Sequence, residues 1–147
     1  MIKTVIFDLD GTITEPFFDF DAIRREIGIS DNALSILDAF EQMSSEDRRV
    51  AETILKKHEE AAVSESTLNK GTEKTLDALR QSSINIGILT RNTKGNTVKV
   101  AEKHNLKFDA IVDRNDGPVK PDAFGVLKLC SISVSYTHLT LPTIYSV

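Results

Sequence analysis

Hydrophobic positions change their spacing several times along this chain. Thr4 to Leu9 (TVIFDL) is a β-branched, nearly continuous apolar run that halts in Asp-Leu-Asp-Gly, the pattern of a buried strand stopping at a turn. From Phe20 the spacing becomes helical. Ile23 and Ile27 come first, then Ala33, Ile36, Leu37 and Phe40 behind an N-cap candidate at Ser30, then Val50, Ile54 and Ala61 behind Ser45. Thr72 and Glu73 open a further helix bearing Leu76 and Leu79, and Ile84 to Leu89 is a second apolar strand ending at Thr90. Lys94 to His104 is expected as a helix with Val98 and Ala101 inward, Ala110 to Val112 as a third short strand, and Pro121 to about Ile132 as a final helix. Strands alternating with helices of this length predict an α/β fold, a parallel sheet covered on both faces. The helical block from 16 to 69 is then an insertion between residues 1–15 and 70–133.

Charge and composition narrow the class. Eighteen Lys and Arg stand against 22 Asp and Glu, a formal net charge of −4, which supplies no basic footprint for nucleic acid or an anionic membrane surface. The one cysteine, Cys130, has no partner for an internal disulfide, and the N-terminal apolar run is short and ends in acids, unlike a signal peptide or a membrane span. A cytoplasmic, globular protein is expected. The segment from Ser133 onward differs from the rest in having no Asp, Glu, Lys or Arg. Val134 to Thr143 can be back-translated into a transposase-type sequencing adapter, so residues 134–147 are expected to be a non-native tail, and His138 within it has no role.

Open α/β sheets bind ligands at the carboxyl ends of their strands. At those positions stand Asp8, Asp10, Gly11 and Thr12, then Thr90, and on the loop after the third strand Lys120. Two carboxylates, a hydroxyl and an ammonium on one rim suit phosphoryl transfer. One carboxylate can attack phosphorus while a second protonates the leaving group and later activates water. Fixed cations and hydrogen-bond donors meet the charge on the phosphoryl oxygens. His58 and His104 have no ligand-spaced partners and are not expected to bind metal; Cys130 is expected as a small buried hydrophobe. Glu15 to Phe18 could contact substrate or simply pack, and Arg24, Arg25, Arg48 and Arg49 are expected to be solvated helix residues.

FDLDGT (Phe7–Thr12), the strand ending in Thr90, and Lys120-Pro121 resemble the first three motifs of the haloacid dehalogenase superfamily of phosphatases and phosphomutases. The resemblance implies a three-layer Rossmann-like core with a small helical cap, here residues 16–69, closing over the site. It implies Asp8 as the nucleophile that forms an aspartyl-phosphate and Asp10 as the general acid/base, with Asp8 and the backbone carbonyl of Asp10 also holding Mg²⁺. Gly11 and Thr12 would form the turn, Thr90 with the Arg91 and Asn92 backbone would hold the phosphate, and Lys120 would neutralise charge between nucleophile and phosphate. A Mg²⁺-dependent phosphatase of a small phosphorylated metabolite, similar to phosphoglycolate phosphatases, is the function implied. A phosphomutase with the same residues is the alternative. A non-catalytic phospho-acceptor such as a receiver-like domain fits less well, because receivers place the acceptor Asp after a middle strand.

The family also carries a fourth motif, acids after the next strand that complete the Mg²⁺ shell. No acid follows Asp122 here. On the resemblance the C-terminal strands are missing, and the 147-residue chain is expected to be inactive and aggregation-prone although its parent enzyme is active. The sequence leaves the oligomeric state open.

Overall fold

The computed structural model describes residues 1–30 and 33–132; the expected tail, 134–147, lies outside the described residues. Contacts divide the chain into two units, one formed by Met1–Pro16 with the chain from Ser66 onward, the other by Phe17–Glu65.

In the first unit three strands, β1 (Thr4–Phe7), β2 (Asn85–Leu89) and β3 (Ala110–Val112), form a parallel sheet in the order β1-β2-β3. Thr4 is in register with Asn85, Phe7 with Ile88, and Leu89 with Val112. Among the described residues three helices flank this sheet: α4 (Thr72–Gln81) packs against β2, α5 (Lys94–Lys103) against β3, and α6 (Phe124–Ile132) against both. The intervening helices, α1 (Phe20–Ile27), α2 (Ile36–Glu41) and α3 (Ser45–Glu65), belong to the second unit. Leu89, Val112, Val126 and Leu129 form one buried cluster, joined by the half-buried Ile6, Ala110 and Cys130. Helix α6 approaches closely because β2 carries Gly87, where a Cβ would already lie 3.4 Å from Leu129 Cδ2. Pleat alternation sends Ile86 and Ile88, both fully buried, to the opposite face of that strand.

The final helix begins at Phe124, three residues later than its apolar pattern suggests, because the Asp122 carboxylate accepts the Phe124 N–H at 2.8 Å and holds the preceding residues in a turn. In α5 the inward face is Asn96, Thr97 and Val100, while Val98 is exposed. Hydrogen bonds explain the shift, since Thr97 Oγ1 reaches the Thr93 carbonyl at 2.9 Å and Asn96 is engaged by Asn92, so polar residues occupy a face that periodicity assigns to apolar ones.

The second unit is wholly helical: α1 (Phe20–Ile27), α2 (Ile36–Glu41) and α3 (Ser45–Glu65), with Ile23, Ile36, Phe40, Ala51 and Leu55 as its core. Asp19 caps α1, accepting the Ala22 N–H at 2.9 Å, and Gly28 closes it in the left-handed region at φ 87°. Helix α2 starts after Ser35, not Ser30, the Ser35 hydroxyl accepting from Asp38 N at 3.1 Å. Helix α3 is capped by Ser44, not Ser45, through Asp47 N at 3.2 Å. Its buried stripe is Ala51, Leu55, Glu59 and Ala62, one residue on from the Val50, Ile54, Ala61 stripe expected, and Val50 is exposed. The expected block of 16–69 also ends differently: Ser66 to Asn69 group with the sheet unit, tied by Glu15 N to the Thr67 carbonyl at 2.9 Å and by a Thr14–Leu68 bridge. Among the described residues no helix is long and apolar enough to cross a membrane.

His104, at the end of α5, lies 2.8 Å from the Ser66 hydroxyl through Nε2. Burial, and then the neighbouring Lys103 ammonium, push its pKa below the ordinary histidine value against the opposing pull of Ser66 and Glu73. A histidine depressed in the folded state contributes stability that is present above its unfolded pKa of about 6.5 and lost as pH falls through that value towards the folded one. The melting temperature is therefore expected to fall more steeply between neutral and mildly acidic pH for the native chain than for His104→Gln. Equal slopes for the two proteins would contradict this.

Candidate active site

The site is built where β1 runs out. Leu9 is fully buried, and its carbonyl accepts the N–H groups of Thr12, Ile13 and Thr14 at 3.2, 3.0 and 3.2 Å, which curls the chain back directly after the two aspartates. Gly11 sits at φ 82°, a region costly for residues with a Cβ. This tight turn presents Asp8 and Asp10 at the strand's carboxyl end.

Asn69 fastens the same turn from outside. Its Nδ2 reaches the carbonyls of Gly11, Thr12 and Thr14 at 3.2, 2.9 and 2.9 Å, while its own N–H donates to the Ile13 carbonyl at 3.1 Å. The Thr72 hydroxyl adds a bond to the same Ile13 carbonyl at 3.0 Å. Asn69→Ala is expected to lower the unfolding free energy by about 1–3 kcal/mol, the usual cost of stripping donors from partly buried acceptors. Asn69→Asp, which keeps the shape but turns a donor into an acceptor facing three carbonyls, should cost more. Chemical denaturation of the three proteins measures the order.

Lys120 crosses 112 residues of sequence to place Nζ 2.9 Å from Asp8 Oδ1, the two side chains being 19% and 17% exposed. At that burial the pair is partly shielded from solvent, and each charge depends on the other more than a surface pair would. Arg91 serves the same loop: its Nη2 donates to the Lys120 carbonyl at 2.5 Å. Thr90, 3% exposed at the end of β2, accepts the Asn92 N–H on Oγ1 at 2.9 Å, and a hydroxyl that accepts still has its proton to donate. Asn92 turns its side chain to Asp10, with Nδ2 3.2 Å from Oδ2.

The residues singled out in sequence thus gather on one rim: Asp8 with Lys120, Asp10 with Asn92, Asn92 with Thr90, and Arg91 under the Lys120 loop. Thr12 contributes backbone, its carbonyl to Asn69 and its N–H to Leu9. Residues that sequence reasoning missed are Asn69, the side chain of Asn92, and Asn96 behind it. Asp113, the acid at the end of β3, is buried and committed elsewhere, accepting the N–H of Lys94 at 2.6 Å and of Asn115 at 3.0 Å.

Magnesium prefers six oxygen ligands and is commonly held by one or two carboxylates together with water and substrate phosphate. Asp8 and Asp10 are hard oxygen donors suited to it. Among the described residues, no group of three or more His, Cys, Asp or Glu side chains could hold an ion. The donor chemistry fits magnesium.

Residues 18–133 match the family model for haloacid dehalogenase-like hydrolase. Over 140 residues the chain is 26% identical to a haloacid dehalogenase-like hydrolase domain-containing protein of Arabidopsis thaliana, covering 88% of this chain and 57% of that one. Among solved structures it resembles a β-phosphoglucomutase from Clostridium difficile, with a TM-score of 0.73 at 21% identity over 91% of this chain and 72% of that one. It also resembles a predicted phosphoglycolate phosphatase from Haemophilus somnus, with a TM-score of 0.64 at 14% identity over 88% and 71%. The chain spans less than two thirds of the length of the curated relatives it matches. Its three-layer Rossmann-like α/β core is that of these hydrolases, and the chain belongs to the haloacid dehalogenase-like hydrolase family.

Proposed function

We propose that this chain carries the catalytic half-site of a phosphatase that hydrolyses a small phosphorylated metabolite through an aspartyl-phosphate on Asp8. The observation that carries the reading is the Lys120 ammonium 2.9 Å from Asp8 Oδ1, two residues before a second carboxylate that is itself held by Asn92. With Oδ1 taken by Lys120, Oδ2 attacks phosphorus. The Oδ2–P bond forms as the bond from phosphorus to the leaving oxygen breaks, and Asp10 gives that oxygen its proton. Water then attacks the phosphoryl group, the Asp8 oxygen–phosphorus bond breaks, and the water proton passes to Asp10. Lys120 and the Thr90 hydroxyl meet the charge on the phosphoryl oxygens, with the N–H groups of the loop after β2 as further donors.

Asp8 through its carboxylate and Asp10 through its backbone carbonyl would hold Mg²⁺, which when bound would neutralise charge shared by nucleophile and phosphate. Among the described residues no group of three or more His, Cys, Asp or Glu side chains could hold an ion, so affinity is expected to be low and steady-state turnover by the 147-residue chain slow or absent. Phe17–Glu65 is proposed as a cap that excludes water and selects the leaving group. A phosphoglycolate-like substrate is the nearest label, supported by the Haemophilus somnus neighbour. The reading is tested by following phosphate release from a panel of small phosphomonoesters with and without excess magnesium. Slow release that rises with magnesium throughout the accessible range supports it. Magnesium-independent release would count against it.

A further inference from the structure

Asp10 is held by one buried asparagine, Asn92, which a second, Asn96, holds in turn. Asn92 is 4% and Asn96 8% exposed. The backbone N–H of Thr93 donates to Asn92 Oδ1 at 2.7 Å, and a backbone N–H can only donate, so Oδ1 of Asn92 is fixed on that side. Its Nδ2 must therefore face Asp10, where it stands 3.2 Å from Oδ2. The same Oδ1 accepts a second bond, from Asn96 Nδ2 at 2.9 Å. Asn96 in turn lies in the first turn of α5, whose N-cap Thr93 accepts the Asn96 N–H at 3.2 Å on Oγ1. The result is a directed chain of donors: α5 fixes Asn96, Asn96 and Thr93 fix Asn92, and Asn92 reaches Asp10.

The geometry points to Asn92 and Asn96 as positioning residues that set the orientation of the Asp10 carboxylate for proton transfer. This rests on the role proposed for Asp10. The carboxyl torsion of an aspartate is broad and roughly two-fold, so the group needs a partner to select one orientation. A donor amide with both of its acceptor contacts fixed by other donors cannot flip to offer its oxygen instead. Proton transfer is sensitive to small displacements, which is why support behind the reacting group matters. The Asn96 side chain bonds Asn92 and stands one residue further from Asp10, so its influence on Asp10 passes through Asn92.

The test uses the full 147-residue chain labelled with ¹³C at aspartate carboxyl carbons, at neutral pH and without substrate. The Asp10 resonance is identified by its disappearance in Asp10→Asn. It is expected to shift in Asn92→Ala and also in Asn96→Ala, where alanine preserves helix propensity. Val98→Ala, on the exposed face of the same helix, should leave it in place. An unmoved Asp10 resonance in Asn96→Ala, with the circular dichroism spectrum unchanged, overturns the proposal. A second arm reads chemistry. An alkyl phosphate needs its leaving oxygen protonated and a dinitrophenyl phosphate does not, so both variants should lose about tenfold or more on the first and less than about threefold on the second. Equal losses on the two substrates overturn the positioning role. Where the unmodified chain turns over neither substrate, the carboxyl resonance decides the positioning role, and phosphorylation of Asp8 decides the proposed function.

Discussion

Asp8→Asn is expected to abolish phosphoryl transfer from an activated aryl phosphate in excess magnesium, taking whatever slow turnover the 147-residue chain shows down to the uncatalysed background. Such a loss follows removal of the atom that forms the covalent bond, because the remaining groups supply binding and charge without a route to the intermediate. Asn is nearly isosteric with Asp, so the turn held by Leu9 and Asn69 should survive. The cost falls on Lys120, whose ammonium, 19% exposed, would face a neutral amide at the position of Asp8 Oδ1. Lys120→Met is expected to reduce transfer as well, by weakening neutralisation at phosphorus, but by less than Asp8→Asn because the nucleophile remains. Stopped assays on the three proteins give the order. Turnover in Asp8→Asn that stays at the level of the unmodified chain, above the uncatalysed background, would remove Asp8 from the chemistry.

Leu129→Ala is expected to lower the unfolding free energy by about 2–5 kcal/mol, the range for deleting a buried leucine side chain. Leu129 is fully buried and occupies the space above Gly87 that lets α6 seat on the sheet. The surrounding cluster of Leu89, Val112 and Val126 is small, and the site has few neighbours able to collapse into the cavity. Against a total stability of about 5–15 kcal/mol for a domain of this kind, such a loss is a large fraction. Gly125→Ala should destabilise by the opposite route, since a Cβ there runs into the Leu89 side chain. Urea midpoints measure both effects.

Much of this was legible because the information is local. The apolar run into Asp-Leu-Asp-Gly describes one strand and one turn, and the strand-end Thr90 and Lys120 follow from the rule that sheets bind ligands at carboxyl ends. Helix faces were less legible. In α3 the buried stripe includes Glu59 and small alanines, which a hydrophobicity pattern passes over in favour of Val50 and Ile54 one position earlier. Caps at Ser35 and Ser44 were displaced from Ser30 and Ser45 because serines cluster near both helix starts and only the hydrogen bond distinguishes them. Asn69, Asn92 and Asn96 were not legible as supports. Asn69 reaches Thr14 across 55 residues and Asn92 reaches Asp10 across 82, while an asparagine in a loop or first helical turn has ordinary local explanations.

The central claim is that Asp8 carries the phosphoryl group, and its location can be read chemically. The 147-residue chain is incubated with acetyl phosphate and excess magnesium, reduced with borohydride, and digested for peptide mass spectrometry. An aspartyl-phosphate at position 8 reduces to homoserine, so the account predicts that conversion at Asp8 alone, absent when magnesium is omitted and absent in Asp8→Asn. An unconverted Asp8, or conversion at another carboxylate that persists in Asp8→Asn, would contradict it.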